Sequence, residues 1–324
     1  MKDFAGKIAV ITGGGTGMGR ELARQLMAEG CSVAMCDVSA RAMAETVRLV
    51  EEARPPQGAK ISSHVADVSD ESQMQRFRDE ASKALDTDRI HLLFNNAGIG
   101  GGGSFLNETR EDWERTFNIC WGGVYFGCRT FLPMLLKADA GHIVNTSSVN
   151  GFWASLGPNT PHTAYAAAKF AVKGFTEALV TDLRLNAPHI KCSVVMPGHI
   201  GTAIASNSRK VLRGNDTDTL SPEELARARA RIAQMTGADP AALTDEAIQA
   251  MVTEQGRRFE QDAPMTAAQA ATVILDGVKA ERWRILVGED AHNLDAGVRK
   301  DPEGAYEADF FAKLAEATGW RVGR

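Results

Sequence analysis

Apolar runs of strand length alternate with helix-length amphipathic spacers along most of the chain, and this alternation constrains the fold more than any other property. The runs are Ile8 to Thr12, Ser32 to Asp37, Lys60 to Val65, Ile90 to Asn95, Gly141 to Ser147, Ile190 to Pro197 and Trp283 to Val287. Most are apolar at successive positions rather than at every second one, as strands covered on both faces must be. The spacing predicts an α/β fold, a doubly wound parallel sheet of seven strands with helices on both faces. Composition agrees: 44% hydrophobic and 24% charged residues exclude a disordered chain. Lys and Arg total 36 against 41 Asp and Glu, a net charge of −5, so nothing global attracts nucleic acid. The stretch Ile119 to Cys128 is too short to span a bilayer and Met1-Lys-Asp-Phe is no signal peptide, so a cytoplasmic protein without membrane contact is expected. Five cysteines without a C-x-x-C pair suggest buried, reduced thiols, and seven histidines without metal-ligand spacing lead us to expect no metal.

Between the first strand and the first helix lies T-G-G-G-T-G-M-G, Thr12 to Gly19. Glycines there allow a tight turn and let backbone N–H groups approach a pyrophosphate, while the helix starting near Met18 aims its positive end at the same charge. Such a turn alone would mean little, but the second strand ends in Asp37, where a carboxylate can accept hydrogen bonds from both adenosine ribose hydroxyls. That carboxylate would repel a 2′-phosphate, and no Lys or Arg lies within the glycine run or directly after Asp37, so NAD is favoured over NADP. Arg41 is near enough in sequence to turn toward a phosphate. The fold expected is of Rossmann type.

Of three tyrosines, only Tyr165 has a lysine four residues on, Lys169, which a helix would place on the same face. An ammonium at about 4.5 Å stabilises a phenolate by roughly 3 to 4 kcal/mol at an effective dielectric near 20, or about two to three pKa units. A phenol so shifted could exchange a proton with an alcohol or carbonyl oxygen while hydride moves to or from a nicotinamide.

With these motifs in place, the sequence resembles the short-chain dehydrogenase/reductase family, in its branch with a T-G-x-x-x-G-x-G loop, from Lys7 to Gly288. The resemblance implies that Gly13, Thr16, Gly17, Met18 and Gly19 receive the cofactor's phosphates. It implies that Asp67-Val68 lies against the adenine and that Asn95 to Gly98, including Ala97, steadies the sheet beside the cofactor. Tyr165 would be the acid/base, and Lys169 would hold the nicotinamide ribose. Ser148, the second serine of N-T-S-S, would bond the reacting oxygen, and Asn118 would hold a water linking Lys169 to solvent. Pro197 and Gly198 begin the segment that grips the carboxamide through Ile200 and Thr202. A homodimer or homotetramer built on the helices bearing Asn118 and Tyr165 is also implied. Certain bacterial dehydrogenases acting on the benzylic alcohol of lignin-derived aryl ethers are similar too, including the M-K-D-F start and a long tail.

Ser148 and Tyr165 are a few residues farther apart than the family usually shows. Phe152, Trp153 and Leu156 are therefore expected to line a wide apolar pocket, with His162 near its rim and His199 as a further lining residue. Residues 203–263 carry no strand signal; a capping box at Ser221-Pro-Glu-Glu is followed by Leu225, Ala228, Ile232 and Met235, and then by Ile248, Met251, Val252, Gln255 and Phe259 at helical spacing. Two amphipathic helices forming a substrate lid are predicted, with Arg227, Arg229 and Arg231 on a solvated face. The domain organisation expected is a dehydrogenase domain over 1–290 with this lid inserted, and a tail over 291–324. The tail's stripe of Tyr306, Phe310, Leu314 and Ala317, with Trp320 near the end, must dock somewhere, an oligomer interface being one place. The function predicted is NAD-dependent interconversion of a bulky, hydrophobic secondary alcohol and its ketone. The alternative is a catalytically silent NAD-binding sensor or scaffold. A serine hydrolase is excluded by the absence of G-x-S-x-G.

Overall fold

The computed structural model describes residues 1–101, 103–156, 160–214, 217–237 and 239–318. Strand β1 (Ile8–Thr12) stops at Gly13, whose φ of +69° is open to glycine, and the chain enters α1 (Gly17–Ala28). Strand and helix then alternate: β2 (Ser32–Asp37), α2 (Ala40–Glu52), β3 (Ile61–Val65), α3 (Glu71–Leu85), β4 (Leu92–Asn95) and α4 (Arg110–Phe117). A π-helical turn over Asn118–Gly122 joins α4 to α5 (Gly123–Leu135), followed by β5 (Gly141–Thr146), α6 (Thr163–Asn186) and β6 (Ile190–Pro197). The seven strands of the main sheet run in the order β3-β2-β1-β4-β5-β6-β9, all pairs parallel, with β9 at Arg284–Val287. The order reverses between β1 and β4, which opens a crevice at the carboxyl ends of those strands.

Both faces of the sheet are covered. Val10, Leu93 and Ile143 pack with Phe77, Phe131 and Val172 on one side, while Ile11, Leu92 and Val195 pack with Leu22, Leu26 and Ile274 on the other. The central strands are accordingly buried at nearly every position, as their unbroken apolar runs predict. Edge strand β3 (I-S-S-H-V) is only partly covered, and its polar composition suits that place.

Among its described residues the insertion holds three α-helices rather than two: α7 (Ile204–Arg213), α8 (Pro222–Thr236) and α9 (Asp245–Gln261). Short strands β7 (Ile200–Gly201) and β8 (Met265–Thr266) pair in parallel and bracket it. Ser221 and Thr266 both build the capping boxes expected of them, Thr266 at the start of α10 (Ala267–Lys279). Helix α9 fully buries only Ile248, and Met251 and Phe259 of its stripe stay largely exposed. Arg227 lies near Asp112 at 3.7 Å, and Arg229 is paired with Asp245. Met235's side chain and Trp320 lie outside the described residues.

Two helices, α11 (Glu289–Lys300) and α12 (Phe310–Thr318), follow the last strand. The tail docks on its own chain: Phe310 and Leu314 are buried with Val149, Trp153, Ala291 and Leu294 in a separate cluster. An oligomer interface is therefore not needed to cover that stripe, although Tyr306 stays 57% exposed.

Candidate active site

The glycine loop is shaped by what its neighbours leave no room for. A Cβ on Gly13 would lie 2.8 Å from the Ala97 Cα, and one on Gly19 would overlap the Gly13 carbonyl oxygen. Thr12 Oγ1 accepts from the N–H groups of Asn96 (3.0 Å) and Ala97 (3.1 Å), fixing the loop to the end of β4. Thr16 is the N-cap of α1, yet its side chain does not cap the helix, and the first turn carries no acidic residue. The N–H groups opening α1 thus have no side-chain anion competing for them. At the end of β2, Asp37 accepts from Gly15 N and Ser39 N, both at 3.0 Å. Burial raises its pKa, opposed by those N–H groups and by the charge of Arg20. A glycine cradle, uncapped helix start and half-buried carboxylate together fit a dinucleotide, with pyrophosphate over the loop and ribose at Asp37.

The Asn95 amide donates to Asn145 Oδ1 (2.8 Å), and Asn145 donates to Thr176 Oγ1 (3.0 Å), linking β4, β5 and α6. Gly127 of α5 makes room for this network, because a Cβ there would overlap Asn95 Oδ1. Asp67 is already engaged by Ser69, through its N–H and hydroxyl, and by Arg115. Burial would raise the Asp67 pKa, but these partners lower it overall. Val68 is buried and packs on Gly123.

Tyr165 and Lys169 stand one turn apart near the start of α6, the Lys169 Nζ lying 5.3 Å from the centre of the Tyr165 ring. Lys169 is only 3% exposed and donates to the Thr146 carbonyl at 2.9 Å. The two serines take different places in the fold: Ser147 Oγ donates to the Lys169 carbonyl (2.7 Å), whereas Ser148 lies beside the Tyr165 hydroxyl. The expected acidification of the phenol is not what the structure holds. Burial pushes the Tyr165 pKa well above its ordinary value, with only Ser148 opposing, and burial also lowers the Lys169 pKa. Desolvation wins because the ammonium is spent on a backbone carbonyl and sits over the ring. Asn118 begins the π-helical turn with its side chain exposed.

Substrate-side expectations divide. Trp153 is not a pocket wall: it is 2% exposed, stacks edge-on against Phe311 and donates to the Ala305 carbonyl at 2.8 Å, because the tail needs an apolar anchor. Phe152 packs in the same cluster, with the Arg284 guanidinium over its ring. Leu156 is exposed. His162 contacts the Tyr165 ring at 4.6 Å between centres and also lines a cavity of about 660 Å³ with Phe170 and Tyr306. Tyr165 itself does not line that cavity. Burial lowers the His162 pKa to about 4, so the imidazole beside Tyr165 is neutral at physiological pH. The His199 ring turns to α9, bonding the Phe259 carbonyl at 2.7 Å.

Sequence reasoning missed the hold of α7 on the cleft. Asn207 of α7 donates to Thr16 Oγ1 (3.2 Å), and Ser208 accepts from Gly100 N (2.7 Å), so α7 ties the glycine loop to the loop after β4. Arg213 reaches Asp112 of α4 at 3.3 Å. Polar residues in a helix with no capping signal give no local mark of such a role.

Glycine loop, Asp37 and the Tyr165–Lys169 pair meet at one edge of a doubly wound sheet, the architecture of an oxidoreductase using a nicotinamide dinucleotide. A family model described as short chain dehydrogenase matches residues 7–212. The chain belongs to that family. It is 38% identical over 221 residues to a putative oxidoreductase, SadH, of Mycobacterium tuberculosis, covering 68% of this chain and 76% of that protein. It is 33% identical over 236 residues to a meso-2,3-butanediol dehydrogenase of Serratia marcescens, covering 71% and 88%. A short chain dehydrogenase/reductase from Burkholderia phymatum, solved in complex with NAD, matches with a TM-score of 0.73 at 32% identity, covering 94% of this chain and 95% of that one.

Proposed function

We propose that this protein interconverts a bulky, hydrophobic secondary alcohol and its ketone with NAD, Tyr165 serving as the acid/base. The observation that carries the reading is the convergence of Tyr165, Ser148 and Lys169 beside a glycine cradle that fits a dinucleotide. A bound nicotinamide supplies the hydride acceptor or donor. In the reducing direction, the Tyr165 hydroxyl gives its proton to the carbonyl oxygen, which Ser148 also holds by a hydrogen bond. In the oxidising direction, the Tyr165 oxygen takes the hydroxyl proton. Lys169 would turn from the Thr146 carbonyl to hold the ribose hydroxyls, and Asn118 would hold the water connecting Lys169 to solvent. Asp67 and Val68 would flank the adenine; Pro197, Gly198, Ile200 and Thr202 would line the carboxamide.

Asp37 supports NAD over NADP, since a phosphate at its position would meet a carboxylate already fixed by two N–H groups. The relative named for 2,3-butanediol, a secondary alcohol, supports the reaction class. A large apolar substrate is supported by a lid with little buried area of its own. Exposed Tyr125 on α5 and Phe170 on α6 support a homodimer or homotetramer built on those helices. The five cysteines are free and buried, consistent with a cytoplasmic enzyme, and among the described residues no helix is long and apolar enough to cross a membrane.

One experiment tests this reading. Wild type and Tyr165→Phe are assayed for nicotinamide reduction on secondary alcohols from small aliphatic to bulky aryl, with NAD and with NADP. The expected outcome is turnover of the bulky members with NAD, and loss of at least about a thousandfold in Tyr165→Phe with NADH affinity kept. Undiminished turnover in the variant refutes the assigned chemistry, and equal use of NADP refutes the role of Asp37.

A further inference from the structure

The segment that leaves β6 is held from two sides by parts of the chain beyond the matched family region. Gly198 N donates to the Val287 carbonyl at 2.9 Å, extending the β6–β9 pairing by one residue. The chain then turns at Gly288, where φ is +106°, into α11. Asp290, in the first turn of that helix, is 2% exposed. Its Oδ2 accepts from the His199 N–H at 2.6 Å, while Oδ1 is buried with no hydrogen-bond partner among the described residues. A Cβ on Gly198 or on Gly288 would overlap this carboxylate, so both glycines exist at the closest approach of two backbones to one side chain. From the other side the His199 ring stacks on Phe259 of α9 (4.4 Å between centres) and bonds its carbonyl, while a Cβ on Gly201 would lie 2.6 Å from the Glu260 carbonyl oxygen.

The Asp290 carboxylate is also faced by the first-turn N–H groups of Asp290 and Ala291, yet its close bond runs across to the strand exit and its Oδ1 is left without a partner among the described residues, a costly arrangement in a buried place. We propose that Asp290 is a positioning residue: it sets the path of the 197–202 segment, and through that path the cofactor's nicotinamide end, so that the tail helix is part of the binding apparatus. The inference rests on the reading that this segment lines the carboxamide.

The test compares two ligands that share the adenosine diphosphate portion. NADH and ADP-ribose, which lacks the nicotinamide, are titrated against full-length wild type, Asp290→Ala, Asp290→Asn and Gly198→Ala by calorimetry, with thermal melts recorded in parallel. Removing a charge-assisted bond predicts NADH affinity lowered by about tenfold in Asp290→Ala, with ADP-ribose changed by less than about twofold. Asp290→Asn keeps an acceptor and is expected to restore most of the NADH affinity. Gly198→Ala, pressing on the same carboxylate, is expected to repeat the selective loss. In Asp290→Ala, equal weakening of both ligands, or no weakening of either, overturns the proposal, and the same two outcomes in Gly198→Ala overturn it should Asp290→Ala fail to fold. Wild type that binds neither ligand overturns the cofactor reading itself, a result distinct from equal weakening in the variants.

Discussion

Tyr165 is protonated at neutral pH, because burial holds its pKa well above the ordinary phenol value. On the proposed chemistry, ketone reduction would use that form directly, whereas alcohol oxidation would need the minor phenolate. The kcat/KM for oxidation is therefore expected to climb by about tenfold per pH unit between about pH 7 and 9, with that for reduction level over the same range. Initial rates in both directions across that range check this; a flat oxidation profile would remove Tyr165 as the base. The Y-A-A-A-K spacing revealed the pair but not its electrostatics. Spacing on a helix is local, while desolvation depends on the π-turn, β5 and Ser148 closing around the phenol, which no local pattern reports. The same limit explains Trp153: shortly after the N-T-S-S motif an aromatic suggests a pocket, and only the tail, some 150 residues on, shows it to be an anchor.

At the scale of elements, Gly127 is the position where α5 comes nearest to β4. Gly127→Ala would drive a methyl into Asn95 Oδ1 and split the Asn95–Asn145–Thr176 chain, so a loss of about 2 to 3 kcal/mol is expected, read as a lower urea midpoint. The seven strands of the main sheet were legible because a doubly covered strand writes its burial into consecutive residues. Helices α8 and α10 were legible through their capping boxes. Helices α7 and α11 were not. Their N-caps, Ala203 and Gly288, contribute no side-chain bond, and each buries few residues, so both owe their form to what they rest on. Both are also where the unforeseen site contacts arise, Asn207 and Ser208 on one and Asp290 on the other.

Across the whole molecule, the end of the sheet away from the site carries a pH liability. His142 at the start of β5 donates from Nε2 to Ser193 Oγ (2.7 Å), which donates to the Arg282 carbonyl; its Nδ1 is buried without a partner among the described residues. Burial lowers its pKa from 6.5 to about 4. Between those values the unfolded chain binds the extra proton, so stability is full above about pH 6.5 and falls as pH drops toward 4, by up to about 3 kcal/mol. Urea unfolding at several pH values should show this slope, and His142→Gln should reduce it, the buried His162 supplying the rest; an unchanged slope would place the acid sensitivity elsewhere. The docking of Phe310 on Trp153 carries a consequence for biosynthesis. The stretch after Ser148 lacks this partner until Phe310 has left the ribosome, so the packing of Trp153 is completed late in synthesis. At about 5 to 20 residues per second, a nascent chain waits roughly 8 to 30 s between emergence of Trp153 and of Phe310, and in that interval it offers chaperones an uncovered indole.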